Sequence, residues 1–255
     1  MAKKYKGYLI DLDGTMYRGK ESIQAAVEFV KKLEQKQLPY LFVTNNSSKR
    51  KEQVAETLRN FGVPATADHV YTTSMATASY IAEQKAGASV YVIGEEGIKS
   101  AVVEMGLTLQ DENPDYVVVG IDRGINYEKL AKACLAVRAG ATFISTNGDI
   151  ALPTERGFLP GNGALTSVIT VSTETRPIFI GKPEPIIMEQ ALEKLGTSKE
   201  DTLMIGDNFA TDIMAGVNAG IDTLLVHTGV TTKEHLELVE NLPTYTVDSL
   251  EEWDI

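Results

Sequence analysis

The regular alternation of short apolar segments with amphipathic helical segments is the feature that most constrains the fold of this chain. The apolar segments, such as Tyr40–Val43, Ser89–Ile93 and Tyr116–Val119, are rich in the β-branched and aromatic residues that favour strands. Segments such as Lys49–Phe61 and Pro185–Leu195 have helical periodicity and lie between these strands. Uniformly apolar strands separated by helices are typical of parallel sheets. The sequence therefore predicts an α/β protein.

Three further segments carry local signals. Ser22 is expected to cap a helix whose apolar stripe begins at Ile23. The Ser/Thr-rich stretch Thr72–Gln84 is expected to be helical. The segment Pro153–Gly163 is rich in Gly and Pro, so we expect a loop there, followed by a helix over Ala164–Val171.

Polar residues end the predicted strands, and ligands of open parallel sheets bind just beyond the carboxyl ends of the strands. Four strand ends carry side chains suited to ligand binding: Asp11 with Asp13, Thr44–Asn46, Lys182, and Asp207–Asp212. Together they offer carboxylates for a hard cation, hydroxyl and amide groups for phosphate oxygens, and one fixed positive charge. Because these ligands are oxygens, with no His or Cys nearby in the sequence, the set suits Mg²⁺ rather than zinc.

The pair Asp11 and Asp13 is open to two interpretations on its own. Residues i and i+2 of an extended chain point to the same side, so both carboxylates would leave the strand Tyr8–Ile10 together. Two carboxylates held that close need a bound cation or a shared proton. The alternative is an exposed strand end with acidic turn residues, because Asp followed by Gly, as at Asp13 and Gly14, is a common turn pair.

The chain is acidic, with 24 Lys and Arg against 35 Asp and Glu and a formal charge of −11. This charge argues against nucleic acid or an anionic membrane as a partner.

The single cysteine, Cys134, cannot form an internal disulfide and indicates a reducing compartment. The segment Met1–Tyr5 leads directly into the first strand, which leaves no room for a signal peptide, and no apolar run approaches the ~20 residues of a membrane helix. We therefore expect a cytoplasmic protein.

Taken together, Asp11–Thr15, Thr44, Lys182 and Gly206–Asp212 resemble the four motifs of the haloacid dehalogenase superfamily, in its phosphatase branch. A finer resemblance, to the NagD and p-nitrophenylphosphatase-like group, rests on four segments: Thr44–Ser47, Pro160–Ala164, Gly181–Pro183 and the motif around Asp207. These ordered motifs span nearly the whole chain.

The resemblance implies a Rossmann-like core, made from two sequence pieces, and an α/β cap domain inserted between Thr44 and Lys182. The spacing agrees, since 28 residues separate Thr15 from Thr44 whereas 137 separate Thr44 from Lys182. On this basis we expect the core at residues 1–79 and 181–255 and the cap at residues 80–180.

The resemblance also assigns roles to the motif residues. Asp11 would attack phosphorus to form an aspartyl-phosphate, and Asp13 would protonate the leaving oxygen and then activate the hydrolytic water. Mg²⁺ would be bound by the side chains of Asp11 and Asp207 and by the main-chain oxygen of Asp13. The phosphoryl oxygens would be held by Lys182, Thr44, Asn45 and Asn46. Asp212 and Asn208 would lie behind the metal ligands, and Asp212 would orient Lys182 or a water bound to the metal.

We therefore expect a Mg²⁺-dependent phosphatase that acts on a small phosphate monoester, such as a sugar phosphate or a nucleotide, and on p-nitrophenyl phosphate in vitro. Asp149 and Asn162 lie in the expected cap and are candidates for contacting the substrate. Asp149 is at least as well suited to capping its own loop, and Asn162 stands where the group often has Thr. A homo-oligomer formed through the cap is a further expectation.

Other functions fit the sequence less well. A dehalogenase has no use for an acid beside the nucleophile, because halide leaves without a proton, so Asp13 argues against it. A phosphomutase would be expected to carry its small cap between Asp13 and Thr44, where the chain has no room. The alternative from a different class is a non-catalytic phospholigand-binding or regulatory protein, which the intact set of Asp11, Asp13, Lys182 and Asp207 disfavours.

Overall fold

The structure, a computed structural model, describes residues 3–154 and 156–255, so Met1, Ala2 and Glu155 lie outside it. The expectation of no signal peptide thus concerns a segment whose first two residues lie outside the described part of the chain. The α/β fold class is confirmed. In chain order the strands are β1 (Gly7–Ile10), β2 (Tyr17–Arg18), β3 (Glu21–Ser22), β4 (Tyr40–Thr44), β5 (Val70–Thr72), β6 (Ser89–Ile93), β7 (Thr108–Leu109), β8 (Tyr116–Val119), β9 (Thr142–Ser145), β10 (Ala151–Thr154), β11 (Gly157–Pro160), β12 (Ile178–Phe179), β13 (Thr202–Gly206), β14 (Asp222–Val226) and β15 (Tyr245–Val247).

The helices lie between these strands. In chain order they are α1 (Gln24–Gln35), α2 (Lys51–Asn60), α3 (Thr73–Gln84), α4 (Glu96–Glu104), α5 (Tyr127–Arg138), α6 (Asn162–Thr173), α7 (Pro185–Leu195), α8 (Met214–Ala219) and α9 (Lys233–Leu236). Shorter helical turns occur at Ala67–His69, Phe209–Ile213 and Leu250–Glu252. No helix of the described residues combines the length and apolarity needed to cross a bilayer.

The chain forms two compact units. Unit 1 consists of Met1–Thr44, Glu52–Tyr71 and Lys182–Ile255, and unit 2 consists of Asn45–Lys51 and Thr72–Gly181. The boundary expected at residue 80 falls inside α3, which packs against α4 and lies wholly within unit 2. At the other boundary, Gly181 is the last residue of unit 2.

Unit 1 is built on a six-stranded sheet in the order β15-β14-β13-β1-β4-β5. β1 lies between β13 and β4 and is parallel to both, with Ile10 opposite Ile205 and Phe42. Every residue of these three strands is buried, which explains why they are largely apolar. Helix α1 packs on this sheet through Phe29, whose ring meets that of Tyr8 edge-on at 5.7 Å.

Unit 2 is built on a five-stranded parallel sheet in the order β12-β9-β8-β6-β7. Val119, at the end of β8, lies opposite Ile93 and Ser145. Helices α5 and α6 pack against each other and contribute to the core of this unit, beside which Cys134 is half-buried.

The Gly- and Pro-rich segment predicted to be a loop contains a β-hairpin instead. β10 and β11 pair antiparallel, with Pro153 opposite Phe158. The hairpin is largely exposed, so it lacks the alternation of buried and exposed residues from which sequence periodicity predicts strands.

Two predicted helix starts also differ. Ser22 ends the short strand β3, and α1 starts at Gln24 after Ile23 without a side-chain cap. Thr72 precedes α3 rather than beginning it, and its side chain caps the helix by accepting the N–H of Met75. The pattern of polar and apolar residues thus predicted both helices correctly but not the residues at which they begin.

Candidate active site

The carboxyl ends of the adjacent strands β13, β1 and β4 of the unit 1 sheet carry three of the candidate catalytic residues. Asp11 follows β1 and donates its backbone N–H to the carbonyl of Ile205 at 2.9 Å, so it lies beside the end of β13. Asp207 follows β13, and Thr44 is the last residue of β4 and is buried. The parallel register therefore brings these three strand ends to one edge of the sheet.

Three carboxylates form a compact buried cluster at this edge. Asp11, Asp207 and Asp212 each offer an oxygen within 4.8 Å of the others, and they are 8%, 0% and 1% exposed. Asp212 reaches the cluster from the helical turn that follows Asp207, and its Oδ2 accepts the backbone N–H of Asn208 at 3.0 Å. We call these three residues the carboxylate cluster.

Lys182 supplies the positive charge beside the carboxylate cluster. Its Nζ donates to Oδ1 of Asp11 at 2.5 Å, to Oδ1 of Asp212 at 2.7 Å and to the carbonyl of Val43 at 2.9 Å. The side chain is 2% exposed, so its three ammonium protons find acceptors within the protein.

The charges of this buried group do not balance, because three carboxylates face one ammonium. Burial and the neighbouring Asp212 raise the pKa of Asp11 well above its usual range, against the opposing effect of Lys182. Burial and Asp212 also raise the pKa of Asp207 to about 6. Burial alone would lower the pKa of Lys182, but the two aspartates that it contacts raise it above its usual value. Excess negative charge on buried oxygens fits a hard divalent cation.

The carboxylate of Asp207 is held on both oxygens. Thr15 Oγ1 donates to Oδ1 at 3.3 Å, and the backbone N–H of Val230 donates to Oδ2 at 2.7 Å. Gly14 lies against this carboxylate with φ of +90°, and a Cβ at this position would collide with it. Glycine is therefore required here both by the backbone conformation and by the approach of Asp207.

Asp13 lies outside the carboxylate cluster. The strand ends at Ile10, and the carbonyl of Leu12 accepts the N–H groups of Thr15 and Met16, so the chain turns instead of continuing extended. The rule that places residues i and i+2 on one side applies only to extended residues. Asp13 is exposed, and its Oδ2 accepts a hydrogen bond from the hydroxyl of Tyr17 at 3.4 Å. Its contact with a metal through the main chain stays a prediction.

Asn45 and Asp149 lie in unit 2 and contact each other. Asn45 Nδ2 donates to Oδ1 of Asp149 at 3.2 Å, and Asn147 Nδ2 donates to the carbonyl of Asn45 at 2.8 Å. The backbone N–H of Asp149 donates to Oδ1 of Asn147 at 3.1 Å, which closes the turn of its own loop. Asp149 thus supports Asn45, the residue directly after Thr44, and its contact with a substrate stays a prediction.

Asn46 and Asn162 make local contacts within unit 2. Asn46 Oδ1 accepts the N–H groups of Ser48 and Lys49, both at 3.0 Å. Asn162, the first residue of α6, is 1% exposed, and its Nδ2 lies within 2.9–3.2 Å of four oxygens, which belong to Val119, Ser145, Thr146 and Asn147. A buried amide with these partners supports the loop that carries Asp149, so we expect any effect of Asn162 on substrate choice to be indirect.

The sequence alone does not reveal that the hydroxyl of Thr15 and the amide of Val230 contact Asp207, or that the hydroxyl of Tyr17 contacts Asp13. Thr15 lies inside the first motif, where the resemblance assigns it no role. Val230 acts through its backbone, which leaves no signature in residue type. The available signal was polar Thr228 followed by Gly229 soon after β14, because this is another strand end of the same sheet.

Comparison with known proteins gives matches to family sequence models in two segments. Residues 8–108 match the family described as haloacid dehalogenase-like hydrolase, and residues 179–253 match the family described as HAD-hydrolase-like. These segments contain Asp11, Asp13, Thr44, Lys182 and the Asp207 motif, whereas most of unit 2 lies between them.

Individual proteins are similar to this chain over nearly its whole length. The 5'-nucleotidase YutF of Bacillus subtilis is 66% identical over 251 residues, which are 98% of each chain. An acid sugar phosphatase of Staphylococcus saprophyticus is 55% identical over 98% of this chain and 97% of that protein. The crystal structure of a single mutant of the thermostable NPPase from Geobacillus stearothermophilus matches with a TM-score of 0.94 at 58% identity, over 99% of both chains.

Proposed function

This chain belongs to the haloacid dehalogenase-like hydrolases and is a phosphatase, and from that premise we propose that it hydrolyses small phosphate monoesters through an aspartyl-phosphate on Asp11, with Mg²⁺ as its cofactor. The predicted resemblance to this superfamily is confirmed. We further propose that unit 1 is the catalytic core and unit 2 the cap.

One observation carries the proposed mechanism: Lys182 Nζ lies 2.5 Å from Oδ1 of Asp11 at the edge of the carboxylate cluster. A phosphoryl group attacked by Asp11 would bring its own oxygens within reach of the same ammonium. Charge stabilisation and alignment supply most of the catalysis in phosphoryl transfer. Thr44 and Asn45 are the proposed neutral donors to the remaining phosphoryl oxygens.

The proposed reaction has two steps. In the first, a carboxylate oxygen of Asp11 bonds to phosphorus, the bond from phosphorus to the leaving oxygen breaks, and Asp13 gives that oxygen a proton. In the second, ionised Asp13 takes a proton from a water that attacks phosphorus, which releases inorganic phosphate and regenerates Asp11. The exposure of Asp13 supports this role, because its carboxyl group must be accessible to both the leaving oxygen and the water.

The carboxylate cluster supports a metal site in the same place. Asp11, Asp207 and the main-chain oxygen of Asp13 are the proposed ligands, with Asp212 and Asn208 around them. When bound, Mg²⁺ would supply positive charge that offsets the excess of carboxylates and the charge of the substrate phosphate. The donor set fits, since the three clustered side chains offer oxygens only.

The metal requirement gives a direct prediction. Activity should be lost on exhaustive chelation and return with Mg²⁺, whereas Ca²⁺ should restore little, because Ca²⁺ takes more ligands at looser geometry. The measurement is steady-state hydrolysis of p-nitrophenyl phosphate by chelated protein with each ion added back. Full activity after chelation would rule the metal role out.

The names of the relatives guide the choice of substrate. One relative is named a 5'-nucleotidase, another an acid sugar phosphatase, and the solved structure is of an NPPase. We propose a nucleotide or a sugar phosphate as the physiological substrate, with p-nitrophenyl phosphate accepted in vitro. A homo-oligomer formed through unit 2, a cytoplasmic location, and the lack of nucleic-acid or membrane partners stay predictions.

Detection of the phosphorylated intermediate tests the mechanism. Rapid acid quench with a labelled substrate, followed by peptide mapping, should place the label on Asp11. Asp11→Asn should reduce turnover to near background while the protein stays folded. A label on another residue would contradict the mechanism, and wild-type protein that binds phosphate esters without turnover would support the non-catalytic alternative.

A further inference from the structure

The loop that follows β14 lies against Asp207. This loop, His227–Thr231, contains no residue to which the mechanism assigns a role, and its backbone contacts the most buried member of the carboxylate cluster. The N–H of Val230 donates to Oδ2 of Asp207 at 2.7 Å. A Cβ at Gly229 would collide with the same carboxylate, so the backbone approaches it as closely as glycine allows.

The same loop also holds the main chain beside Asp207. The N–H of Thr231 donates to the carbonyl of Asp207 at 3.1 Å, and Thr231 Oγ1 accepts the N–H of Phe209 at 2.8 Å. Thr231 is 5% exposed, so these hydrogen bonds lie in the interior of unit 1. Asp207 is thus held through both its side chain and its carbonyl.

A hydroxyl group anchors the loop to the first motif. Thr228 Oγ1 donates to the carbonyl of Gly14 at 2.7 Å, and Arg18 Nε donates to the carbonyl of Thr228. Gly14, like Gly229, packs directly on the Asp207 carboxylate. The loop therefore joins the segment that carries Asp11 and Asp13 to the segment that carries Asp207.

We infer that the loop His227–Thr231 is a positioning element for the metal site, in which Thr228 keeps the amide of Val230 on Asp207 and so fixes the carboxylate that binds the cation. The inference rests on the proposed metal role of Asp207. Groups that orient metal ligands typically contribute about 10–100-fold to metal affinity. The hydroxyl of Thr228 donates to the carbonyl of Gly14 and not to the reacting residues Asp11 and Asp13, so its effect should be on metal affinity rather than on chemistry at saturating metal.

The test compares Thr228→Val, which removes the hydroxyl donor at similar volume, with Thr228→Ser, which keeps it. Mg²⁺ affinity is measured on chelated protein by titration calorimetry, and activity is measured as a function of Mg²⁺ concentration. We expect Thr228→Val to bind Mg²⁺ about 10–100-fold more weakly, with kcat at saturating Mg²⁺ within about twofold of wild type. Thr228→Ser should bind Mg²⁺ nearly as wild type does.

The matched control is Thr232→Val. Thr232 is the first threonine after the loop, and its hydroxyl accepts the N–H of His235 instead of contacting the site, so its loss should leave Mg²⁺ affinity unchanged. Thr228→Ala replaces Thr228→Val if the latter does not fold. Unchanged Mg²⁺ affinity in Thr228→Val, or in Thr228→Ala where it is used instead, with wild type binding normally, would overturn this inference alone. Wild-type protein that binds no Mg²⁺ would overturn the proposed metal role and this inference with it.

Discussion

The ammonium of Lys182 is buried among two carboxylates and a carbonyl. If the ammonium were removed, water could not solvate these carboxylates in its place. Removing one partner of a buried ion pair is costly, because the remaining charges lose their compensation, even where the intact pair contributes little net stability. Lys182 should therefore matter for the stability of the metal-free protein as well as for phosphoryl transfer. The two effects can be separated by adding the metal.

Lys182→Met should lower the free energy of unfolding of metal-free protein by about 3 kcal/mol and abolish turnover. Excess Mg²⁺ should restore part of the stability but not the activity, because it brings positive charge to the same carboxylates. Urea unfolding in chelator and in Mg²⁺ measures both effects. Lys6→Met is the control, since Lys6 pairs with Asp201 and is 74% exposed, and its loss should change stability little. A Lys182→Met protein as stable as wild type without metal would contradict this account.

Asp13 is predicted to act differently on different leaving groups. A sugar alkoxide needs a proton to leave, whereas nitrophenolate is a stable anion, so Asp13→Asn should lose the first step mainly on sugar phosphates, by roughly 10²–10⁴-fold. Because hydrolysis of the aspartyl-phosphate still needs a base, the variant should release up to about one nitrophenolate per site in a burst and then stall. Rapid-mixing kinetics on both substrates, with Mg²⁺ binding verified, measure this. Equal loss on both substrates without a burst would show that Asp13 is not the acid–base residue.

The turn after β1 is the element on which the site depends most directly. Gly14 and Gly19 flank the short strand β2, and both have positive φ, +90° and +56°. A Cβ at Gly14 meets the carboxylate of Asp207, whereas a Cβ at Gly19 meets nothing within 4 Å. A substitution at either position would therefore strain the backbone, but only a substitution at Gly14 would also contact the site.

Both Gly14→Ala and Gly19→Ala should therefore lose about 1 kcal/mol of stability from the left-handed conformation. Gly14→Ala alone should also weaken Mg²⁺ binding, because its methyl group displaces the Asp207 carboxylate. Thermal unfolding measures the loss of stability in both variants, and titration calorimetry measures their Mg²⁺ affinity. If the two variants bind Mg²⁺ equally, contact at Gly14 does not position Asp207.

In unit 2, Asp115 ties the start of β8 to the start of β6. Its Oδ2 accepts both the N–H and the hydroxyl of Ser89 at 3.0 Å, and its Oδ1 accepts Lys85 Nζ at 2.6 Å. Hydrogen bonds from Lys85 and Ser89 lower the pKa of Asp115 to about 2 from 3.8. Because the folded value lies below the unfolded one, this stabilisation is fully present above about pH 4 and is lost as the pH falls towards 2.

Asp115→Asn should accordingly be less stable than wild type at pH 7, and the difference should shrink as the pH falls below about 4. Urea unfolding at a series of pH values measures it, with a unit 2 probe such as the near-ultraviolet signal of Tyr91 or Tyr116. A difference that stays constant from pH 7 to pH 3 would show that ionised Asp115 is not the stabilising form.

For the whole molecule, the two family matches cover the residues proposed for chemistry, and most of unit 2 lies between them. Relatives that are 66% and 55% identical carry names for different substrates. Both observations support the proposal that unit 1 performs the chemistry while unit 2 selects the substrate. Asp149 and Asn162 are the residues with which to test it.

Asp149→Ala and Asn162→Ala should change the relative kcat/KM values of nucleotides and sugar phosphates more than the rate on p-nitrophenyl phosphate. Asp149 should affect substrate choice either by contacting the substrate or through Asn45. Asn162 is 1% exposed, so its substitution should affect substrate choice by loosening the loop that carries Asp149. A panel of phosphate esters assayed with each variant measures this. Equal scaling of all substrates by both substitutions would show that unit 2 does not select substrate through them.

The sequence by itself determined the fold class, the family and the strand ends at which the proposed catalytic residues lie. These are local properties, because an apolar strand and the polar residues that end it are adjacent in the chain. Asp11, Asp207 and Lys182 could be singled out in this way. The exposed hairpin β10–β11 could not, since it buries no face that would impose a pattern.

Only the tertiary structure decided which polar groups meet. It put Asp212 in the buried carboxylate cluster and left Asp13 exposed, although Asp13 is two residues from Asp11. It also joined Thr228 to Gly14 across 214 positions and aimed the amide of Val230 at Asp207. Every residue except proline carries the same backbone N–H, so residue type does not reveal which one will be used. Sheet order and register determine that choice, because they bring the ends of distant strands to one edge.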